Sequence, residues 1–236
     1  MIPEISVVIL GYKAGHRIEA FVEKVIKLLE KTVSSWEIVL VGNYWKNSGD
    51  ETPDVVKKIA SQRNNIVAVA MPKQGMMGWD AQSGLREANG RFICLIDGDE
   101  QMPPEDIARV YEKIKKENLD LVKTFRIKRG DGIFRKINSQ AYNFVFRTLF
   151  PGIKVKDVNS KPKIFTKEAY SKMRLTADDW FFDAEMIIQC RKLKLKIGEI
   201  PTEFHKCAYR KSFVKLSAIC EFIKNLLRAR IKDFYN

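Results

Sequence analysis

The feature that most constrains this chain is an alternation of short, wholly apolar runs with amphipathic stretches through its first half. Ile5 to Leu10 is an unbroken aliphatic run that stops at Gly11, as a strand buried on both faces does. Over residues 17–31 the side chains of Ile18, Phe21, Val22, Val25, Leu28 and Leu29 recur at helical spacing. Residues 38–41, 66–70 and 92–96 repeat the strand pattern. A helix opening at Thr52-Pro53 carries Val55, Val56 and Ile59, and another closes at Ala88 before Asn89-Gly90. The order β-α-β-α-β-α-β predicts an α/β fold, Rossmann-like, with a mostly parallel sheet flanked by helices and right-handed crossovers. Ligands of such sheets bind beyond the carboxyl ends of the strands. The loops after Leu10, Val41, Ala70 and Ile96 are therefore expected to share one crevice.

The second half is more mixed. A charged helix to residue 118 follows Pro103-Pro104, then a strand over 121–127, a helix over 138–150 and a strand over 163–165. A helix over 180–193, a strand over 196–200 and a final amphipathic helix over 212–234 complete the pattern. No internal repeat or linker divides it, so one domain is expected.

Charge limits the partners. The chain has 42 basic and 29 acidic side chains, a formal charge of +13, which favours nucleic acid, acidic lipid headgroups or phosphate-bearing substrates. No nucleic-acid motif accompanies the charge. Cys94, Cys190, Cys207 and Cys220 form no C-x-x-C pair, and only two histidines are present. Neither a zinc site nor a disulfide framework is expected, and reduced thiols suit a cytoplasmic setting. The opening MIPEISVVIL lacks the basic region and cleavage site of a signal peptide. No run reaches the ~18–20 apolar residues of a spanning helix, so any membrane contact is expected to be peripheral.

The strongest local signal is Ile93-Cys94-Leu95-Ile96-Asp97-Gly98-Asp99-Glu100-Gln101. A buried strand here delivers Asp97 and Asp99 to the ligand edge of the sheet. Magnesium is typically held by one or two carboxylates together with substrate phosphates. An ordinary acidic turn has the same composition; the position after an apolar strand favours the ligand site.

The run LIDGDEQMPPEDI resembles the D-x-D-x-Q-x-P-P-E segment of family 2 glycosyltransferases of the GT-A fold, above all the dolichol-phosphate and polyprenyl-phosphate mannosyl- and glucosyltransferases. Gly78, Gly84, Ala88 and Gly90 resemble the small residues that precede it, and VVILGYKAG, with Tyr12, resembles V-V-I-P-T-Y-N-E. Asp157 and Ser160 fall in register with D-x-x-S-G-F-R, although Lys161-Pro162-Lys163 replaces Gly-Phe-Arg. Phe182-Asp183-Ala184-Glu185 resembles F-D-x-E, Glu199-Ile200-Pro201 resembles E-V-P, and Tyr209-Arg210-Lys211-Ser212 resembles Y-G-K-S. One departure is marked. Gly42 and Asn43 occupy the acidic places of the family's V-D-D-x-S-x-D-x-T, while Ser48, Asp50 and Thr52 match its tail.

The resemblance implies an inverting transfer of a sugar from a GDP- or UDP-linked donor, dependent on Mg2+ or Mn2+. It implies that Asp97, Asp99 and Gln101 hold the metal, and that Asp99 and Asp97 lie at the reacting diphosphate. Tyr12, Asn43, Lys73, Arg210 and Lys211 are candidates for nucleotide contacts, Lys73 being equally readable as a solvated loop lysine. Arg126, Arg135 and Ser139 match positions that face an acceptor phosphate; a solvated basic face is the other reading. If the acceptor were a hydroxyl, Asp183 is the best candidate base and Glu185 the second; helix-start capping is their alternative role. Residues 1–118 would then form the nucleotide-sugar half, 119–211 the acceptor half and 212–236 an amphipathic helix. That helix, and the apolar stretch from Tyr142 to Phe150, fit either domain packing or an anionic membrane surface. The expected partners are a nucleotide sugar, a polyprenyl phosphate, the cytoplasmic face of a membrane and a possible membrane subunit, without nucleic acid. A saccharide or protein hydroxyl as acceptor, and a non-catalytic binder on the same scaffold, are the competing functions.

Overall fold

The computed structural model describes residues 2–130, 133–206 and 224–231. In chain order the elements are β1 (Ile5–Leu10), α1 (Arg17–Thr32), β2 (Trp36–Val41), α2 (Thr52–Ser61), β3 (Ile66–Val69), α3 (Met77–Glu87) and β4 (Phe92–Asp97). There follow α4 (Asp106–Lys116), β5 (Leu121–Arg129), α5 (Ile133–Leu149), β6 (Lys163–Thr166), α6 (Lys167–Lys172), α7 (Phe182–Lys192) and β7 (Ile197–Phe204). Residues 224–231 are helical.

Among the described residues seven strands form one sheet in the order β3-β2-β1-β4-β6-β5-β7. β1 pairs in parallel with β2 and β4, β2 with β3, and β5 with β7. β6 alone runs antiparallel, to both β4 and β5. The α/β reading holds, with this one reversed strand added. Because the chain builds outward from β1 to β3 and then returns to place β4 on β1's other side, the sheet has its topological switch point between β1 and β4.

Strand alternation sends side chains to two cores. Val7, Ile9, Ile38, Leu40, Cys94, Ile96, Val122 and Ile164 face the layer of α1, α2 and α4. Val8, Leu10, Val39, Val41, Ile93, Leu95, Leu121 and Phe165 face the layer of α3, α5 and α7. Full burial of each such side chain contributes about 1.5–3 kcal/mol. The packing of α3 on β1 and β2 is close enough that a Cβ on Gly84 would stand 2.5 Å from Val8 Cγ1 and Val41 Cγ2, so glycine is required there.

The elements differ from expectation in places. β7 continues to Phe204 through Pro201, which an edge strand tolerates. α5 begins at Ile133, and the short α6, capped by the Thr166 side chain accepting from the Ala169 amide, was not foreseen. Phe146 and Phe150 of the apolar stretch are core, whereas Phe144 is 65% exposed. The segment 224–231 likewise divides: Leu226 is buried against the α7 side of the sheet while Leu227 and Ile231 are exposed. The rest of the foreseen terminal helix lies outside the described residues.

Candidate active site

Asp97 ends β4 opposite Leu10 of β1, at the switch point. The next amide, Gly98 N–H, donates to the Leu10 carbonyl at 2.9 Å. A Cβ on Gly98 would lie 2.9 Å from Ile9 Cγ2 and 3.2 Å from that carbonyl oxygen. Only glycine lets the chain turn so tightly between two carboxylates. Asp99 Oδ1 accepts from the Gln101 amide at 3.2 Å, and the Gln101 side-chain nitrogen donates to the His205 carbonyl at 3.0 Å. What Gln101 can offer a cation is therefore its oxygen.

These donors suit a hard divalent ion. Among the described residues no group of three or more His, Cys, Asp and Glu side chains is gathered to hold a metal. Asp97, 38% exposed, and Asp99 instead present the one or two carboxylates that such an ion needs when phosphate oxygens complete its shell.

The neighbouring strand brings cations to the same edge. β6 pairs Lys163 with Leu95 in antiparallel register, so two residues further along Lys161 stands across from Asp97. Lys161 Nζ lies 3.5 Å from Asp97 Oδ2 and 3.1 Å from Asp183 Oδ2. Lys163 Nζ binds Asp183 Oδ1. Lys161, Lys163 and Asp183 are all buried. Burial alone would raise the Asp183 carboxyl, but the two ammoniums outweigh it and hold it below the usual carboxylate range. Burial works against the charge of Lys161, yet Asp183 and Asp97 keep it above the ordinary lysine value. For Lys163 burial wins, and its ammonium is easier to deprotonate than a free lysine.

A second ionic array flanks the first. Buried Lys123 donates to the carbonyls of Thr124 and Asp157 and to Glu199 Oε1 at 3.3 Å. Arg126 grips Asp157 with both prongs, Nε to Oδ2 at 2.6 Å and Nη2 to Oδ1 at 2.8 Å. Burial opposes ionisation of Asp157, but the Arg126 charge prevails and holds it far below normal. Thr124 Oγ1 meets Ser160 Oγ at 2.6 Å and donates to the Lys161 carbonyl at 2.7 Å, joining the two arrays. Arg126 is thus docked on Asp157. Arg135 is exposed on α5, and the Ser139 backbone carbonyl accepts from Asn143 Nδ2, while Asn143 Oδ1 accepts from the Val158 amide.

Asn43 and Lys73 converge on a residue that sequence reasoning did not single out, Asp80 of α3, with Tyr12 beside Lys73. Asn43 is fully buried; its amide nitrogen donates to Asp80 Oδ1 at 3.1 Å and Ser83 Oγ at 2.8 Å, and its oxygen accepts from Met71 N at 3.0 Å. Lys73 pairs with Asp80 Oδ2 and lies over the Tyr12 ring, 4.5 Å from its centroid. Lys73 is buried, so it is not a solvated loop lysine. Burial lowers Lys73 and raises Asp80, each outweighing the partner's opposing pull. The signal for Asp80 was an acid among the spaced small residues Gly78, Gly84 and Ala88.

Glu185 has a different occupation. Its carboxylate accepts from Thr176 N at 2.9 Å, Thr176 Oγ1 at 2.9 Å and Ala177 N at 2.9 Å. The loop it braces offers the Asp178 and Asp179 carbonyls to the first amides of α3. Arg210 and Lys211 lie outside the described residues.

Comparison with known proteins matches this geometry to a family. Residues 6–179 match the family described as Glycosyl transferase family 2. An undecaprenyl-phosphate 4-deoxy-4-formamido-L-arabinose transferase of Pectobacterium atrosepticum is 30% identical over 147 residues, 62% of this chain and 44% of that protein. The chain thus spans less than half the length of that relative. A dolichyl-phosphate beta-glucosyltransferase, ALG5D, of Trichomonas vaginalis is 25% identical over 247 aligned positions, covering 96% of this chain and 73% of that one. Among solved structures, glucosyl-3-phosphoglycerate synthase from Mycobacterium tuberculosis, in complex with Mn2+, UDP and glucosyl-3-phosphoglycerate, superposes with a TM-score of 0.69 at 20% identity, over 97% of this chain and 80% of that chain. That likeness establishes the shared GT-A fold. The family match runs from β1 through β6 and takes in the Asp97-Gly98-Asp99 turn, and the chain belongs to glycosyl transferase family 2.

Proposed function

We propose that the chain transfers a sugar from a nucleoside-diphosphate sugar to a polyprenyl phosphate at a membrane surface. The observation that carries this reading is the state of Asp183. A hydroxyl acceptor needs a carboxylate to take its proton, and Asp183, the best-placed candidate, is bound by two buried lysines that lower its basicity. Glu185, the second candidate, braces a loop. A phosphate acceptor is already an anion at neutral pH and needs no base, so the site has only to position it and balance charge. Two polyprenyl-phosphate transferases among the relatives support the same acceptor class.

In this reading Asp97, Asp99 and Gln101 would hold Mg2+ or Mn2+, which would supply positive charge to offset that on a leaving diphosphate. Lys161, beside Asp97, is placed to balance charge on that diphosphate, and Asp183 positions Lys161 and Lys163. Tyr12, Asn43 and Lys73, organised by Asp80, border the nucleoside, while Arg135 and Ser139 of α5 lie towards the acceptor phosphate. Arg126 supports that side through Asp157. The donor is a UDP- or GDP-linked sugar in this reading. Among the described residues no helix is long and apolar enough to cross a membrane. A basic chain of formal charge +13 is suited to an anionic leaflet, on the cytoplasmic side or recruited there by a membrane subunit.

The test is a screen of UDP- and GDP-sugars against extracted polyprenyl phosphates and, in parallel, saccharide and protein hydroxyl acceptors. Glycolipid formation that falls at least about 100-fold in Asp97→Asn/Asp99→Asn is expected. Transfer confined to hydroxyl acceptors, or turnover unchanged in the double variant, would overturn the reading.

A further inference from the structure

We propose that Lys161 is a resident counter-cation that prevents Asp97 from gathering a divalent ion alone, so that metal enters only together with a nucleoside diphosphate. This rests on reading the chain as a metal- and nucleotide-dependent transferase. Lys161 stands where the family pattern has glycine, so the ammonium is an addition made by this chain.

Its geometry leaves little freedom. The Lys161 side chain is 4% exposed, and its Nζ bridges Asp183 Oδ2 at 3.1 Å and Asp97 Oδ2 at 3.5 Å. Its carbonyl accepts from Thr124 Oγ1 at 2.7 Å, and the next residue but one, Lys163, is locked in the β4–β6 register. Because Asp183 anchors it, Lys161 cannot retreat to solvent when another cation approaches. The carboxylates of Asp97 and Asp183 share the Lys161 ammonium, and Lys163 takes the other oxygen of Asp183. A bare divalent ion on Asp97 and Asp99 would set a dipositive charge beside the buried Lys161 ammonium, where repulsion is weakly screened. A diphosphate arriving with the ion supplies negative charge, and Lys161 then becomes an attractive partner for its oxygens.

The test is a titration of the full chain with Mn2+, followed by calorimetry and by the electron paramagnetic resonance signal of free Mn2+, alone and with saturating UDP or GDP. The parent is expected to bind Mn2+ at least about tenfold more tightly with the preferred nucleotide than without it. Lys161→Met is expected to tighten nucleotide-free Mn2+ binding about tenfold and to shrink the nucleotide's effect accordingly. Lys161→Gly, which restores the family residue, carries the same expectation, and Lys161→Arg should retain the parent's coupling. Equal Mn2+ affinity with and without nucleotide in the parent overturns the inference even if the variants fail to fold. So does nucleotide-free affinity that is unchanged or weakened in folded Lys161→Met. If neither nucleotide binds at any Mn2+ concentration, the transferase reading itself falls. If nucleotide binds but Lys161 does not govern the metal, only this inference does.

Discussion

Lys73 and Asp80 illustrate how a buried ion pair can organise a site without stabilising it. Both groups are displaced toward their neutral forms because desolvation exceeds their mutual attraction. Breaking the pair is nevertheless costly. Asp80→Asn is expected to destabilise by roughly 3–5 kcal/mol, since Lys73 is left buried without its counter-ion. The double variant Lys73→Met/Asp80→Leu should lie much closer to the parent, which urea unfolding will show as a strongly non-additive cycle. Asp157 behaves in the opposite way. Its native pKa lies below the unfolded value of about 3.9, so its contribution to stability is complete above that value. It is lost as pH falls from about 4 through the native value, because the unfolded chain binds the proton first. Urea midpoints taken from pH 7 down to 3 should decline, and Asp157→Asn should be less stable at neutral pH with a shallower acid slope. None of these pairings could be read from residue order. Asp97, Asp99 and Asp183 were visible because each sits in a compact local motif. Lys161 and Asp80 became meaningful only when two strands or a strand and a helix placed them beside partners 64 and 37 positions away.

At the level of elements, legibility followed how local the determining signal was. The first four strands and the helices between them announced themselves through unbroken apolar runs and clean helical periodicity, and the structure reproduces them within a few residues. The reversal of β6 had no such signal, since Lys-Ile-Phe-Thr reads the same in either direction and its orientation is set by the neighbours it joins. The loop over 176–179 was equally silent, yet it links α7 to α3: Glu185 holds its amides while its carbonyls take the Met76, Gly78 and Trp79 amides. Glu185→Ala should therefore cost about 0.5–1.5 kcal/mol by removing hydrogen bonds to exposed and half-buried donors of that loop. A calorimetric melt should show the loss, with Glu185→Gln recovering part of it; an unchanged midpoint would remove the brace from the account.

Across the whole molecule, charge and exposed hydrocarbon coincide. Ile137 and Phe144 stand seven positions apart on α5 and are 54% and 65% exposed, with Arg135, Lys136 and Arg147 exposed on the same helix. Leu227 and Ile231 add exposed apolar surface on the segment 224–231. The protein is expected to sediment with phosphatidylserine vesicles, to release them as salt rises, and to ignore neutral phosphatidylcholine. Phe144→Asp should weaken that association several-fold, whereas binding indifferent to lipid charge and to Phe144 would count against this surface.

The reversed strand has one more consequence. Because β6 starts beside the end at which β4 stops, the reversal sets Lys161 across from Asp97 and carries Lys161 and Lys163 together onto Asp183 of α7. Slipping β6 by a single position would put Pro162 or Ile164 opposite Leu95 in place of Lys163 and turn the ammoniums to the far side of the sheet. The length of the chain between α5 and β6 is thus a gear setting for the chemistry, and adding or deleting one residue there should disengage it while most of the sheet stands.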